Sequence, residues 1–439
     1  MTIDPVHYDG IASLADRIRH DADPEAHRDL AETVWADHLD PLRKDGAAVL
    51  EPIDSVTRRA APIEDLALQE SPFGTAHGLD SGTINPTTFK NGLLLDLAQA
   101  AMSAVPSNLG LHRARTYIMP VHSNDATVDH ATDGWIPFDE DHGRGRIVQT
   151  EALARDEERI VHGLALYLAE SHHALQHADA VEEVLFLDGP LYPKGLVHWR
   201  GRHGSIGDLA GENDLVAEVL QNYVDLVEDF LDRGVPLVGF VKSPQSRGLI
   251  RTLAETGRPS PWASDAAFFT QVLEQREGET EPQARGSSQQ ERVGGPQAGG
   301  TGQRGRVTED LTWTGWFRSR LGADGVFSAP ETELGVTRSR PATDYEITFF
   351  VVYDPRTDLL FKAELPGGFA EESAVRSAVE QAVLRGVAAE RGPPLPIAKA
   401  DELARIGAEG KAELVRRLEV AFNTTEDRNY NYERWGREA

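Results

Sequence analysis

Val184-Leu185-Phe186-Leu187-Asp188-Gly189-Pro190 is the stretch on which the reading of the chain turns. Four consecutive apolar residues stopped by a turn signal are the pattern of a strand buried on both faces, in the middle of a sheet. A second run of this kind, Val235 to Val241 (VPLVGFV), ends at Lys242-Ser243-Pro244, and the intervening segment Asp214 to Arg233 has helical apolar spacing. Just upstream, Glu157 to His177 has no proline, one glycine and apolar positions three and four apart, which predicts a helix. Helices and buried strands in alternation imply an α/β fold, a mixed sheet with helices on both faces.

Outward from this centre, a strand-like entry from Ala76 reaches Gly78-Leu79-Asp80-Ser81-Gly82-Thr83, and Gly92 to Val105 has the composition of a buried helix or strand–helix unit. Arg115 to Val121 reads as a strand. Tyr345 to Tyr353 and Leu359 to Leu365 read as strands joined by the turn Asp354 to Asp358. A helix over Glu371 to Glu390, a proline-rich break at 392–396 and a last helix from about Asp401 to Phe422 come next. The first seventy or so residues carry heptad-like spacing through Ile11, Leu14 and Ile18, then Leu30, Val34, Leu39 and Leu42, so residues 1–72 are expected to form a helical cap or dimerisation element. Between Glu274 and Asp310 there is no Leu, Ile, Met or aromatic residue, and a disordered insertion is expected there.

Composition removes whole classes of function. With no cysteine in 439 residues, a disulfide scaffold, a thiol nucleophile and a cysteine-held zinc or iron–sulfur centre are excluded. The N-terminus lacks a basic segment followed by an apolar run and nothing approaches a membrane span, so a soluble, cytoplasmic protein is expected. The net charge is −27, from 44 basic and 71 acidic residues, and only seven of the basic ones are lysines. That balance suggests adaptation to high salt, where screening over about 3 Å at 1 M suppresses self-repulsion. No P-loop, GxSxG elbow, HExxH or complete GxGxxG occurs, and Gly143-Arg144-Gly145 is a fragment that reads as a turn.

Carboxylates near apolar strands stand out instead. Asp80 and Asp188 each follow a strand-like run, where burial disfavours the ionised form unless a cation or hydrogen-bond donor compensates. Glu170 lies on the Leu166, Glu170, Ala174 stripe of the 157–177 helix, and Asp401 opens the last helix, a position equally suited to a capping residue. Together these four are candidates to hold Mg²⁺ or Mn²⁺, which activates water and neutralises a leaving phosphate oxygen. Lys242 is placed to meet a phosphate, or else is an exposed strand-end lysine. Weaker candidates are the histidines His172, His173 and His177, the segment His122 to Asp125, and the aromatics Trp313, Trp316 and Phe317 beside Arg318 and Arg320, which suit either base stacking or a core.

Five stretches in order carry a family resemblance: Gly78-Leu79-Asp80-Ser81-Gly82-Thr83-Ile84-Asn85-Pro86, Leu185-Phe186-Leu187-Asp188-Gly189-Pro190-Leu191, Val238-Gly239-Phe240-Val241-Lys242, Phe361-Lys362-Ala363-Glu364-Leu365-Pro366, and Pro396 to Ala404. The series resembles the NurA nucleases of archaeal double-strand-break repair, in wording closest to a haloarchaeal branch. The resemblance implies an RNase H-like fold, a homodimer, and manganese-dependent 5′-to-3′ exonuclease and single-strand endonuclease activity on DNA. It further implies work with the hexameric translocase HerA, alongside Mre11 and Rad50 in end resection. By position it makes Asp80 and Asp188 strand-borne metal ligands, Glu170 the helix glutamate, with Glu151 also available, and Asp401 a C-terminal ligand. Residues 73–273 and 311–422 are then the two parts of a nuclease domain split by the 274–310 insertion, with 423–439 a polar tail. The rival expectation is a non-catalytic adaptor of the same fold that docks on a DNA motor through the N-terminal helices and the 313–320 aromatics. Convergence of the carboxylates on one point distinguishes the two.

Overall fold

Leu185–Asp188 lies at the centre of a fourteen-stranded sheet in the computed structural model, which describes residues 4–15, 17, 24–123, 134–151, 155–196, 214–277 and 305–427. In chain order the strands are β1 (Leu42–Lys44), β2 (Ala47–Pro52), β3 (Arg58–Pro62), β4 (Ala76–Thr88), β5 (Leu94–Val105), β6 (Arg115–Ser123), β7 (Ile136–Phe138) and β8 (Gly143–Glu151). They continue as β9 (Leu185–Asp188), β10 (Leu237–Val241), β11 (Asp310–Thr314), β12 (Phe317–Ser319), β13 (Ile347–Asp354) and β14 (Leu359–Pro366). The α-helices are α1 (Tyr8–Ala15), α2 (Pro24–His38), α3 (Ile63–Ala67), α4 (Leu109–Arg113), α5 (Arg155–Gln176) and α6 (Asp214–Arg233). They are followed by α7 (Gly248–Glu255), α8 (Asp265–Leu273), α9 (Glu331–Leu334), α10 (Ser373–Glu390), α11 (Leu395–Ala404) and α12 (Ala408–Ala421).

The sheet runs β1-β2-β12-β13-β14-β10-β9-β4-β5-β6-β8-β7, and β11 joins β13 to β3. Within it, β4, β5 and β6 form an antiparallel meander, β9 runs parallel to β4 and β10 parallel to β9. This spatial order, third-second-first-fourth-fifth, meets the RNase H-like expectation. Both β9 and β10 are apolar and buried, as the two short runs require. One face of the meander carries α5, which packs on α6, and the opposite face carries α11.

Three expectations change. The Gly92 to Val105 block is neither helix nor strand–helix unit but holds one twelve-residue strand, Leu94–Val105, because Ala-rich β5 is buried along nearly its whole length beneath helices on either face. The N-terminal helices end at His38. Pro41, Pro52 and Pro62 punctuate the next segment, and 42–62 forms three strands, with β2 pairing β12 and β3 pairing β11, so this region extends the sheet. The single last helix is two, α11 and α12, and Asp401 stands inside α11 rather than at a helix start. Ile18 lies outside the described residues, as do 278–304 of the expected insertion and 428–439 of the tail. At the insertion's base the Glu277 N–H donates to the Gly305 carbonyl, and the Val307 N–H to the Gln275 carbonyl. From the tail, Asp427 N–H pairs with the Thr88 carbonyl.

Candidate metal centre

Parallel pairing of β4 with β9 aligns Leu79 with Leu187, so the next residue on each strand is an aspartate, Asp80 beside Asp188. The β9 strand stops there because Gly189 turns the chain at φ +140°, a conformation that favours glycine. β4 runs on to Thr88 without a β9 partner, which leaves a notch at the two carboxylates.

The third carboxylate arrives on a helix. Gly78 and Gly82 flank Asp80 on the same face of β4, and a Cβ on them would stand 2.2 Å from the Pro396 carbonyl oxygen and 2.1 Å from that of Ala404. Their cross-strand partners on β5 complete the seat: Ser103 Oγ donates to the Pro396 oxygen (2.6 Å) and Gln99 Nε2 to the Ala404 oxygen (2.6 Å). Eight residues of helix rise about 12 Å and four of strand about 13 Å, so α11 matches its strand in length. Asp401 is thereby held over Asp80. One carboxylate oxygen each from Asp80, Asp188 and Asp401 lie within 4.8 Å of one another, and this is the one such group of three found among the described residues.

Glu170 stands apart from the triad. Ser81, next to Asp80 and so on the opposite face of the sheet, donates to Glu170 Oε1 (2.5 Å), and Tyr223 donates to Oε2 (3.2 Å). Glu170 nevertheless lines the same cleft as Asp80 and Asp188. Glu151 ends β8 opposite Ser123, eight residues along the sheet from the level of Asp80, roughly 26 Å at strand rise. It is not a neighbour of the triad. Lys242 Nζ donates to Asp188 Oδ2 (2.5 Å), which puts a cation at the rim. Asp401 also pairs with Arg405 (2.8 Å).

The electrostatics of the group fit a hard divalent cation. Burial, with the charges of Asp188 and Glu170, pushes Asp80 up to about 8. Burial pushes Glu170 up to about 7 against the pull of Ser81 and Tyr223. Asp188 is also raised by burial, although Lys242 opposes it. Converging oxygen donors whose negative charge Lys242 and Arg405 offset only in part are the donor set that Mg²⁺ or Mn²⁺ takes.

The weaker candidates fall away. Trp313, Trp316 and Phe317 are buried in the core, and Arg318 and Arg320 pair with Glu346, so this segment is not a stacking platform or a docking surface. His172 bonds Glu218 and buried His173 bonds Thr116, both near the C-terminal end of α5. His122 is buried near the end of β6, seven residues from the level of Asp80. Asn124 and Asp125 lie outside the described residues. Sequence reasoning passed over Tyr223, whose spacing with Val219, Val227 and Phe230 reads as core, and also Tyr167 and Gly163, which sit with Glu170 on one stripe of α5.

A family model described as the NurA domain matches residues 74–406. The chain belongs to the NurA family. That match begins two residues before β4 and ends two residues after α11, so it brackets the three aspartates. Among solved structures, the NurA nuclease from Sulfolobus solfataricus is similar at 11% identity, covering 96% of this chain and 98% of that one, with a TM-score of 0.47. A NurA structure with manganese is similar at 10% identity over 82% and 95% of the two chains, with a TM-score of 0.37. No curated protein matches the sequence. Among the described residues of this NurA chain, no helix is long and apolar enough to cross a membrane.

Proposed function

We propose that the chain is a Mn²⁺- or Mg²⁺-dependent deoxyribonuclease. The observation that carries this is the convergence of Asp80, Asp188 and Asp401 within 4.8 Å at a notch in the sheet. A divalent cation bound there supplies Lewis-acid polarisation of a phosphodiester and a bound water of lowered pKa. Asp80, Asp188 and Asp401 hold the cation, and Glu170, fixed by Ser81 and Tyr223, adds negative charge behind it. Lys242 orients Asp188 and is placed to meet a non-bridging phosphate oxygen.

Family membership supports the narrower reading: a homodimer with 5′-to-3′ exonuclease and single-strand endonuclease activity. It acts in end resection with a HerA-type translocase, in functional association with Mre11 and Rad50. The acidic, lysine-poor composition supports a protein of a high-salt cytoplasm, where DNA is held by metal, stacking and shape rather than by basic surface. The adaptor alternative loses one of its two proposed contacts, since the 313–317 aromatics are in the core, while Ile11 and Leu14 of the N-terminal helices stay exposed. End-labelled single- and double-stranded DNA, incubated with Mn²⁺ or Mg²⁺ at high salt, tests the assignment. Cleavage is expected from the wild type and not from Asp80→Ala, and full activity of that variant overturns the site.

A further inference from the structure

We propose that the cleft beside the carboxylates is a subsite for one unpaired nucleobase, with Tyr167 as the stacking face, so that the enzyme takes a single terminal nucleotide out of its stack before cleavage. The proposal rests on the nuclease reading above and adds a substrate-binding element on the α5 side of the sheet.

Helix α5 presents two distinct faces. Ile160, Val161, Leu164, Ala165, Leu168 and Ala169 are buried against the sheet and α6. Gly163, Leu166, Tyr167 and Glu170, spaced i, i+3, i+4 and i+7, are half-buried and line a cleft of about 390 Å³ that also contains Asp80 and Asp188. Pro190 and Gly195, from the segment after β9, form the opposing wall. That segment is fixed: the Leu191 N–H donates to Glu364 Oε2, Lys194 Nζ bonds Glu364 and Asp324 (both 2.6 Å), and Tyr192 stacks on Phe327 at 3.9 Å. The cleft is therefore preformed rather than a gap under a loose loop.

Its chemistry matches a base and not a second phosphate. Apart from the carboxylates and the hydroxyl residues Ser81 and Thr83, the lining is glycine, apolar or aromatic, and Tyr223, which stands edge-on to Tyr167 at 6.4 Å, spends its hydroxyl on Glu170. Among the described residues no arginine or lysine lines it, and Lys242 beside it is bonded to Asp188. Tyr167 is half-buried and lines the cleft while its hydroxyl is held by the Gly195 backbone, and stacking on an aromatic ring tolerates every base. At this volume, near the lower end of ligand clefts of roughly 300–1,000 Å³, there is space for one nucleotide but not for a base pair. Glycine at 163, one turn before Tyr167, lines the cleft with bare helix backbone.

The test uses the full-length protein with Mn²⁺ and end-labelled single-stranded oligonucleotides whose terminal nucleotide is either intact or abasic. Wild type is expected to show a KM for the intact end roughly five- to hundred-fold below that for the abasic end, the range of one base–aromatic stack. Tyr167→Ala should raise the KM for the intact end to the abasic value and leave the abasic KM unchanged, while Tyr167→Phe preserves the preference. Gly163→Leu, which raises helix propensity and fills the cleft, should abolish the preference with Mn²⁺ affinity, read by electron paramagnetic resonance, unaltered. Equal KM values for the two ends in wild type, or an undiminished preference in both Tyr167→Ala and Gly163→Leu, overturn the subsite while Asp80-dependent cleavage stands. Absence of any Mn²⁺-dependent cleavage by wild type strikes the nuclease reading itself.

Discussion

Gly82 lies so close under the carbonyl of Ala404 that a Cβ on it would stand 2.1 Å from the oxygen. Because the obstacle is helix backbone, a methyl group there must lift the end of α11 that carries Asp401. Gly82→Ala is expected to cost about 1–3 kcal/mol, as overpacking does, and to weaken Mn²⁺ binding along with stability. Gly410→Ala is the control, since nothing lies within 4 Å of that position in exposed α12, and it should be neutral or gain up to about 1 kcal/mol. Denaturant unfolding and a Mn²⁺ titration on both variants read the difference.

Removing one ligand charge without changing shape isolates the metal's contribution. Asp80→Asn, Asp188→Asn and Asp401→Asn should each lower kcat on DNA by about 10²–10⁴, equivalent to several kcal/mol of transition-state stabilisation. Glu170→Gln should cost less than any of the three, since its oxygens already accept from Ser81 and Tyr223. A Glu170→Gln defect as deep as that of Asp80→Asn would place Glu170 among the direct ligands.

Proton linkage at the site has an unusual sign. Asp80 and Glu170 are raised, to about 8 and about 7, chiefly by burial, so folding favours their protonated forms. Their contribution to metal-free stability is full below about pH 4 and declines as pH rises through 7 to 8. A divalent cation takes the protons' place, so binding releases protons and strengthens by about tenfold per pH unit for each proton displaced. Calorimetry of Mn²⁺ binding at pH 6, 7 and 8 measures this directly, and an affinity flat over that range would exclude these carboxylates as the binding groups.

Histidines at the C-terminal end of α5 act in the opposite sense. Burial holds His173 well below the ordinary range and brings His177 to about 4. The unfolded chain therefore takes up protons first, and their contribution is complete above about pH 6.5 and is lost as pH falls toward 4. In Mn²⁺-saturated protein, unfolding free energy should fall on acidification from pH 6.5 to 4.5, with a shallower slope for His177→Gln. An identical slope for variant and wild type removes His177 from the account.

The order of strands and helices around Asp188 was legible because VLFL and VPLVGFV admit few other readings once helices flank them. Asp80 and Asp188 could be found for the same reason: a carboxylate directly after a buried run demands compensation. What pins Asp401 was not legible. It depends on Gly78 and Gly82 matching a helix placed three hundred residues away, and a glycine's use as clearance shows only when the opposing backbone is known. The Trp313 to Arg320 segment misled in the other direction, since aromatics beside arginines describe a nucleic-acid platform and a salt-bridged core edge equally well. Heptad-like spacing in the first seventy residues likewise carried past His38, where prolines hand the chain to the sheet.

The seating of α11 on β4 also sets a timetable for synthesis. Asp80 and Asp188 leave the ribosome early, but the carboxylate that completes their group belongs to a helix made more than three hundred residues after Asp80. At about 5–20 residues per second, the nascent chain spends on the order of fifteen seconds to a minute without it. A fragment ending before α11 lacks Asp401, so the three carboxylates cannot come together until the chain has been made through this helix.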